Sequence, residues 1–350
     1  MRKYDIGIWG QYGDPGVRIA DGQAVRTNII TNELQDRYGK DQICIADSNR
    51  WKRHPIRFLF KCIKMILQSK KVLILPADNG FKVFVPLLMA INAFLRRELY
   101  YVVIGGFLPE LLKTKPLYLK LMKRFKALFV QTENLRKDLL DLGIIDVYIL
   151  SNLKRLNTRK HEELSINNNE HIDVCVFSRI NREKGIDDAI AAVRLANNKL
   201  GKNLIHLDMY GLVPDHFRDE LNRLIKENED IAAYCGIAEY TKTVETLSKY
   251  FALLFPTHYY GEGFPGNLID AFHSATPIIA TDWMYNKEIL HNGVHGFLVE
   301  PENPRELCNA ILRLYENREL ACELAHNCLN EAQKYQPEEV LKELFAFLDH

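Results

Sequence analysis

The chain has 350 residues, which is long enough for two domains with separate cores. Its hydrophobic fraction of 47% and charged fraction of 26% are typical of a soluble globular protein and exclude a low-complexity or disordered chain. The net charge is only +1, but residues 1–151 carry 25 Lys and Arg against 14 Asp and Glu, and the remainder carries 21 against 31. This asymmetry predicts an N-terminal half that meets an anionic surface or acceptor.

The ends and the cysteines predict a cytoplasmic protein. No signal peptide is visible, because the N-terminus runs directly into a short strand. The longest nearly apolar stretch, Val83–Leu95, is thirteen residues long and too short to span a bilayer. Seven cysteines without a CxxC pair suit a reducing cytosol and make a metal or disulfide role unlikely.

The first predicted strand, Tyr4–Trp9, leads through a glycine-containing loop into a helix that ends near Tyr38. The glycines at 7, 10 and 13 do not form GxGxxG, which disfavours a dehydrogenase. On the residues alone, Asp21 is a candidate helix cap and Arg26 a solvated cation.

Two segments of the first half are basic and free of acids. Residues 50–71 carry eight Lys and Arg among apolar residues at helical spacing, and residues 111–128 carry six. Such helices could lie on anionic lipid, or they could dock their apolar side on the sheet and leave the lysines in water. The presence of two segments favours an anionic membrane surface as a partner.

Buried strands alternate with helices along the first half, which predicts a doubly wound parallel sheet. The predicted strands are Val72–Pro76, Tyr100–Ile104, Ala127–Thr132 and Val147–Leu150. Residues 151–170 are polar and aperiodic, so we expect the domain linker there.

The alternation restarts with the strand Ile172–Phe177, and four more follow: Leu204–Tyr210, Ala232–Cys235, Phe251–Phe255 and Pro277–Thr281. The strand Ile172–Phe177 ends in a loop with Arg179 and Lys184, just before a helix from Ile186 to Leu200. Cations at a strand end beside a helix N-terminus can form a diphosphate clamp, although a solvated basic turn would look similar.

The loop after Phe255 contains three glycines and Glu262, and Asp270 lies eight positions further on in a helix that begins near Asn267. Both carboxylates could face one pocket at the carboxyl edge of the sheet. An ordinary strand-loop-helix unit with two surface acids is the alternative.

The pattern of Glu262, seven residues and Asp270, with Gly263-Phe264 after the first acid, resembles the signature loop of the family 4 retaining glycosyltransferases. This resemblance implies an α/β protein of GT-B architecture, with two Rossmann-like doubly wound domains facing a cleft. It implies an acceptor-binding domain at 1–151, a nucleotide-sugar-binding domain at 152–336, and a C-terminal helix at 337–350 that crosses back to the first domain.

The resemblance also implies roles for individual residues. Glu262 would hold the donor sugar, Arg179 and Lys184 the diphosphate, and Asp270 the ribose. The further donor-binding residues that it implies are Gly263, Phe264, Pro265, Gly266, Asn267, Ile237, Gly22 and Arg26. No histidine follows the strand Tyr100–Ile104, so a catalytic residue from the first domain stays unassigned.

The implied activity is transfer of a sugar, most simply a hexose, from a nucleoside diphosphate sugar, with retention. The acceptor would be a saccharide or a lipid-linked saccharide in capsule or lipopolysaccharide synthesis, at the cytoplasmic membrane face. No D-x-D triplet is present, so we expect neither a metal nor another cofactor, and no nucleic acid partner. A GT-B nucleotide-sugar epimerase and a non-catalytic sugar-nucleotide-binding subunit are the alternatives.

Overall fold

The computed structural model describes residues 3–13, 22–75 and 78–350. The chain divides into two compact units, an N-terminal unit of Met1–Lys154 with Pro337–His350 and a C-terminal unit of Arg155–Gln336. The first change of unit falls within residues 151–170, the polar stretch in which the linker was expected.

The N-terminal unit is built on a parallel six-stranded sheet. Its strands are β1 (Tyr4–Gly10), β2 (Ile43–Asp47), β3 (Ser69–Leu75), β4 (Glu98–Val102), β5 (Ala127–Val130) and β6 (Val147–Ile149), in the order β2-β1-β3-β4-β5-β6. The connecting helices are α1 (Gly22–Tyr38), α2 (Pro55–Gln68), α3 (Asp78–Leu95), α4 (Leu108–Thr114), α5 (Pro116–Met122) and α6 (Glu133–Asp141). The strands are rich in buried branched and aromatic residues, as a sheet covered on both faces requires.

The C-terminal unit repeats this design. Its strands are β7 (Ile172–Phe177), β8 (Ile205–Tyr210), β9 (Ala232–Gly236), β10 (Ala252–Phe255), β11 (Ile278–Thr281) and β12 (Gly296–Val299), in the order β12-β11-β10-β7-β8-β9. Its helices are α7 (Ile186–Leu200), α8 (Arg218–Glu227), α9 (Thr243–Leu247), α10 (Gly266–Ser274), α11 (Asn286–Ile289), α12 (Pro304–Glu316) and α13 (Arg318–Ala332). The strand order reverses between β7 and β10, and ligands collect beyond the carboxyl ends of strands at such a point.

The chain ends on the N-terminal unit with two short helices, α14 (Pro337–Val340) and α15 (Lys342–Asp349). Leu344 and Leu348 of α15 join the buried cluster that contains Ile30 and Leu34 of α1. The Tyr38 hydroxyl also donates to the Asp349 carboxylate at 2.6 Å. The sequence predicted one continuous helix here, but the structure breaks it at Leu341.

The two basic segments also differ from their predicted form. Helix α2 stops at Gln68, so Lys70 and Lys71 belong to β3. In the second segment, α4 ends before Lys115 and α5 starts at Pro116, because the residue before a proline is disfavoured in the helical region. Across the described ranges, no helix is long and apolar enough to cross a bilayer.

Candidate active site

Two loops meet at the carboxyl edge of the C-terminal sheet, where β7 pairs with β10. The His258 N–H donates to the Glu183 carbonyl at 2.9 Å, which ties the loop after β10 to the loop after β7. Gly185 has a φ of 72°, and a Cβ at this position would overlap the carbonyl oxygen of Pro256. Only glycine therefore allows the two loops to approach this closely.

The close approach brings Lys184 and Glu262 together, although they lie 78 residues apart in the chain. The Lys184 ammonium donates directly to the Glu262 carboxylate, and the two side chains are only 11% and 12% exposed. The Thr257 hydroxyl donates to the same carboxylate oxygen at 3.1 Å, and the Lys184 Nζ lies 4.9 Å from the centre of the Tyr259 ring. The pair is thus shielded and held from several sides, as a partly desolvated ion pair must be.

The other two cations of the β7–α7 loop, Arg179 and Arg182, differ in whether their side chains are paired. Arg182 donates to Glu220 and lies 3.8 Å from Asp187, so its charge is already matched. Arg179 is exposed, and among residues 3–13, 22–75 and 78–350 its side chain has neither a hydrogen bond nor an ion pair. Arg179 is therefore free to bind an anion from outside.

Helix α10 starts at this edge without a side-chain cap and without an acid in its first turn. The first N–H groups of a helix have no intrahelical partner, so this terminus favours an anion. The Asn267 side-chain amide donates to the Phe177 carbonyl at 3.0 Å and fixes the start of α10 against the end of β7. The Asn267 side chain therefore has a structural role, and the uncapped N-terminus of α10 lies at this edge of the sheet.

Asp270 lies within α10, the helix that the sequence predicts to begin near Asn267. It is the fifth residue of α10 and is 2% exposed, and it accepts a hydrogen bond of 3.5 Å from the Thr243 hydroxyl. Burial, and secondarily the charge of Asp270, raises the pKa of Tyr240 well above its usual value. Asp270 therefore contacts the segment that follows β9, whereas Glu262 contacts the loop that follows β7.

The remaining predicted donor-binding residues of this unit differ in how exposed they are. Phe264 is buried and packs its ring 5.5 Å from that of Tyr335, and Pro265 is also buried, so both support the loop. Gly263 is half-buried at the start of this turn. Ile237 is exposed directly after β9, at the same sheet edge.

The structure corrects the expectation for Arg26. Its guanidinium is buried within the N-terminal unit and donates to the carbonyls of Leu150 at 2.6 Å and Ser151 at 3.2 Å. Burial lowers its pKa to about 9, so it stays charged at neutral pH. Arg26 binds strand ends together and is neither solvated nor displayed by an open loop. Gly22 is the exposed first residue of α1, and Asp21 lies outside the described residues.

Sequence reasoning gave no role to two residues that build this site. Thr257 bonds Glu262, and the Asn181 side chain accepts from the Lys184 N–H at 3.2 Å and so shapes the turn that presents the lysine. Small polar residues directly after a strand were the available signal. Over the described part of the chain, no group of three or more His, Cys, Asp or Glu is arranged to hold a metal ion.

This fold and site define a class of protein: a GT-B chain whose C-terminal Rossmann-like unit presents cations, a carboxylate and a helix N-terminus at its switch point. Residues 157–335 match the family of group 1 glycosyl transferases, which is more than half of the chain. The chain therefore belongs to that family.

Three known proteins give the comparison detail. The chain is 27% identical over 223 residues to a poly(ribitol-phosphate) alpha-N-acetylglucosaminyltransferase of Staphylococcus aureus, a match that covers 63% of this chain and 43% of that longer protein. The crystal structure of Anabaena HepE with UDP-glucose superposes with a TM-score of 0.73 at 16% identity and covers 99% of both chains. A glycosyltransferase from Rickettsia africae superposes with a TM-score of 0.76 at 13% identity, over 100% of this chain and 98% of that one.

We predict that Gly185→Ala destabilises the protein more than Gly201→Ala. Both glycines flank α7 at nearly the same φ, 72° and 71°, but a Cβ meets the Pro256 carbonyl at the first and nothing at the second. Gly201→Ala should therefore show only the cost of a left-handed residue, about 1–2 kcal/mol, and Gly185→Ala should lose more. Chemical denaturation of both variants measures the difference, and equal losses would contradict the close loop approach.

Proposed function

We propose that the chain transfers a sugar from a nucleoside diphosphate donor to a saccharide or lipid-linked acceptor, with retention at the anomeric carbon. The observation that carries this proposal is the Lys184–Glu262 pair, held at the switch-point crevice beside the uncapped start of α10. A phosphate-binding cation and a carboxylate that can accept sugar hydroxyls lie side by side there. A nucleotide-sugar donor offers a partner to each of these groups, its phosphates to the cation and its sugar hydroxyls to the carboxylate.

The diphosphate is the leaving group, so catalysis depends on stabilising the negative charge that develops on it. Arg179 is unpaired and exposed, Lys184 lies across the loop, and α10 directs its first N–H groups to the same edge. Two cations and a helix N-terminus can supply the positive field that a divalent metal supplies elsewhere. We therefore propose a metal-free reaction whose rate is insensitive to chelators.

Glu262 would exchange partners when the donor binds. In the free protein its carboxylate accepts from Lys184 and Thr257. A donor phosphate would draw Lys184 away, and the sugar hydroxyls would then take its place on the carboxylate. Charged hydrogen bonds are exchanged for others of similar strength, so the ion pair holds both side chains in position without blocking the site.

The nucleoside would extend from the diphosphate toward β9. Asp270, next to Tyr240 and Thr243, lies on that side and is the proposed acceptor for the ribose hydroxyls. The exposed Ile237 would lie against the base. HepE is described in complex with UDP-glucose and the Staphylococcus relative is an N-acetylglucosaminyltransferase, so we propose UDP linked to glucose or N-acetylglucosamine as the donor.

Retention would proceed by displacement on the face of the sugar from which the diphosphate leaves. The leaving phosphate oxygen accepts the proton of the acceptor hydroxyl, the new glycosidic bond forms, and the bond to the phosphate breaks. On this route the protein contributes the positioning of the substrates and electrostatic stabilisation of the leaving group, and no base from the N-terminal unit is needed. The acceptor class, a lipid-linked saccharide used in cell-surface polysaccharide synthesis, is suggested by the basic amphipathic segments of the N-terminal half.

We predict that Arg179→Ala and Lys184→Ala weaken UDP binding, while Arg182→Ala does not. All three cations lie in the same loop, but Arg182 is neutralised by Glu220, which has no proposed role in donor binding, whereas Lys184 pairs with Glu262, itself a proposed donor ligand. Loss of a charge-assisted contact should cost about 1.5–3 kcal/mol, or about 10- to 150-fold in Kd. Isothermal titration with UDP measures the affinity, and equal effects for all three alanine variants would exclude a specific clamp.

We predict that Glu262→Gln lowers the rate of sugar transfer at least about tenfold and leaves the affinity for UDP within about threefold. The carboxylate is assigned to the sugar, and its loss also releases Lys184 for the diphosphate, so UDP binding should be equal or tighter. Product analysis with and without acceptor measures transfer and detects epimerisation of the donor. A variant that loses UDP and donor to the same degree would contradict the assignment.

A further inference from the structure

Helix α2 has a second apolar stripe that does not face the core. Its inner face is buried through Phe58, Cys62, Met65 and Ile66. A separate set with the spacing four, three, four lies on the other side of the helix: Ile56, Phe60, Ile63 and Leu67. Ile56 is 70% exposed and Phe60 is 66% exposed. Two large apolar side chains one turn apart in solvent need a partner more than isolated exposed residues do.

Cations border this stripe. Arg57, Lys61 and Lys64 follow it along α2, and Lys52 and Arg53 precede the helix. All five are exposed, and within the part of the chain that the structure describes none of them forms an ion pair with a carboxylate. Ordinary solvated helix faces mix both signs of charge, whereas residues 50–71 contain no acid at all.

Several other basic residues of the unit are paired with carboxylates. Lys70 pairs with Asp5, Lys113 with Glu110 and Lys126 with Glu98. In the second segment Lys113 and Lys126 are thus neutralised, whereas Lys115, Lys120, Lys123 and Arg124 are exposed and form no ion pair among the described residues. Helix α2 differs in that two large exposed apolar side chains, Ile56 and Phe60, accompany its unpaired cations.

The neighbouring helices continue the apolar surface. The rings of Phe58 and Phe84 lie 4.8 Å apart, so the start of α2 is beside α3. The Tyr118 hydroxyl donates to the Lys82 carbonyl at 2.9 Å, so α5 is beside α3 as well. These helices add two exposed apolar side chains, Val83 and Leu117, and the exposed cation Lys82.

We propose that these residues form a docking surface for an anionic lipid bilayer, with α2 lying in the plane of the headgroups. The docking surface consists of Lys52, Arg53, Ile56, Arg57, Phe60, Lys61, Lys64, Leu67, Lys82, Val83 and Leu117. Ile56 and Phe60 insert at the headgroup boundary, and the flanking cations meet lipid phosphates. This arrangement of an apolar stripe beside unpaired cations is the chemistry of an interfacial helix.

The charge and the apolar stripe of the docking surface disfavour a second copy of the chain or a nucleic acid as its partner. A second copy seated on the same surface would place two acid-free cationic faces against each other, and the repulsion would oppose the gain from apolar burial. A nucleic acid would satisfy the cations but would leave the apolar stripe in water. An anionic bilayer satisfies both features at once.

The test is co-sedimentation of the full chain with vesicles of phosphatidylcholine alone or mixed with phosphatidylglycerol, at low and high salt. We expect binding only to the anionic vesicles, and weaker binding at high salt because the Debye length falls from about 10 Å at 0.1 M to about 3 Å at 1 M. The triple variant Arg57→Gln, Lys61→Gln, Lys64→Gln should bind on the order of 100-fold less tightly, at about fivefold per cation. The double variant Ile56→Ser, Phe60→Ser should also lose binding, by at least about tenfold.

Matched controls separate a specific surface from charge or apolarity in general. The variant Arg218→Gln, Arg223→Gln, Lys226→Gln makes the same charge change on exposed positions of α8 in the C-terminal unit and should bind as wild type. Ile145→Ser removes another exposed apolar residue of the N-terminal unit and should also have no effect.

Several results would overturn the proposal. Equal binding to neutral and anionic vesicles, or equal loss in the test and control variants, would leave α2 as a solvated face. A dimer in analytical ultracentrifugation that Ile56→Ser, Phe60→Ser dissociates would assign the surface to a second copy. UDP affinity, measured on the same variants, should stay at the wild-type value, so a failure here is distinct from a failure of the proposed transferase site.

Discussion

The contact between Lys184 and Glu262 is the interaction on which the site depends. It exists because β7 and β10 are neighbours at the reversal of strand order, and because Gly185 lets the following loops touch at Pro256. A partly desolvated pair of this kind costs solvation free energy that its mutual attraction must offset.

The two units of the chain carry opposite net charges. The C-terminal unit is acidic in total, yet it leaves Arg179 unpaired at the crevice while neutralising Arg182 a few residues away. The N-terminal unit is basic, and at α2 its unpaired cations border an exposed apolar stripe. The net charge of each unit therefore says less about its ligands than the local pairing of its cations does.

Periodicity in the sequence predicted most strands of the two sheets. The strand Ile172–Phe177 and the helix Ile186–Leu200 coincide with β7 and α7, because continuous branched runs and a helical repeat are unambiguous there. The strand β2 was not predicted, since Ile43–Asp47 is short and ends in a polar residue. Arg26 could not be placed, because a buried arginine that bonds strand-end carbonyls carries no local signal. The sequence did not predict the contact between Lys184 and Glu262, although both were candidate residues, because only the fold brings these distant positions together.

A donor diphosphate should replace Glu262 as the partner of Lys184, and a crystal structure of the chain with UDP bound would show this exchange. We expect diphosphate oxygens within hydrogen-bond distance of the Lys184 Nζ and of the first N–H groups of α10, with the Lys184–Glu262 contact broken. A bound diphosphate elsewhere, or one that leaves the Lys184–Glu262 contact intact and does not touch α10, would contradict it.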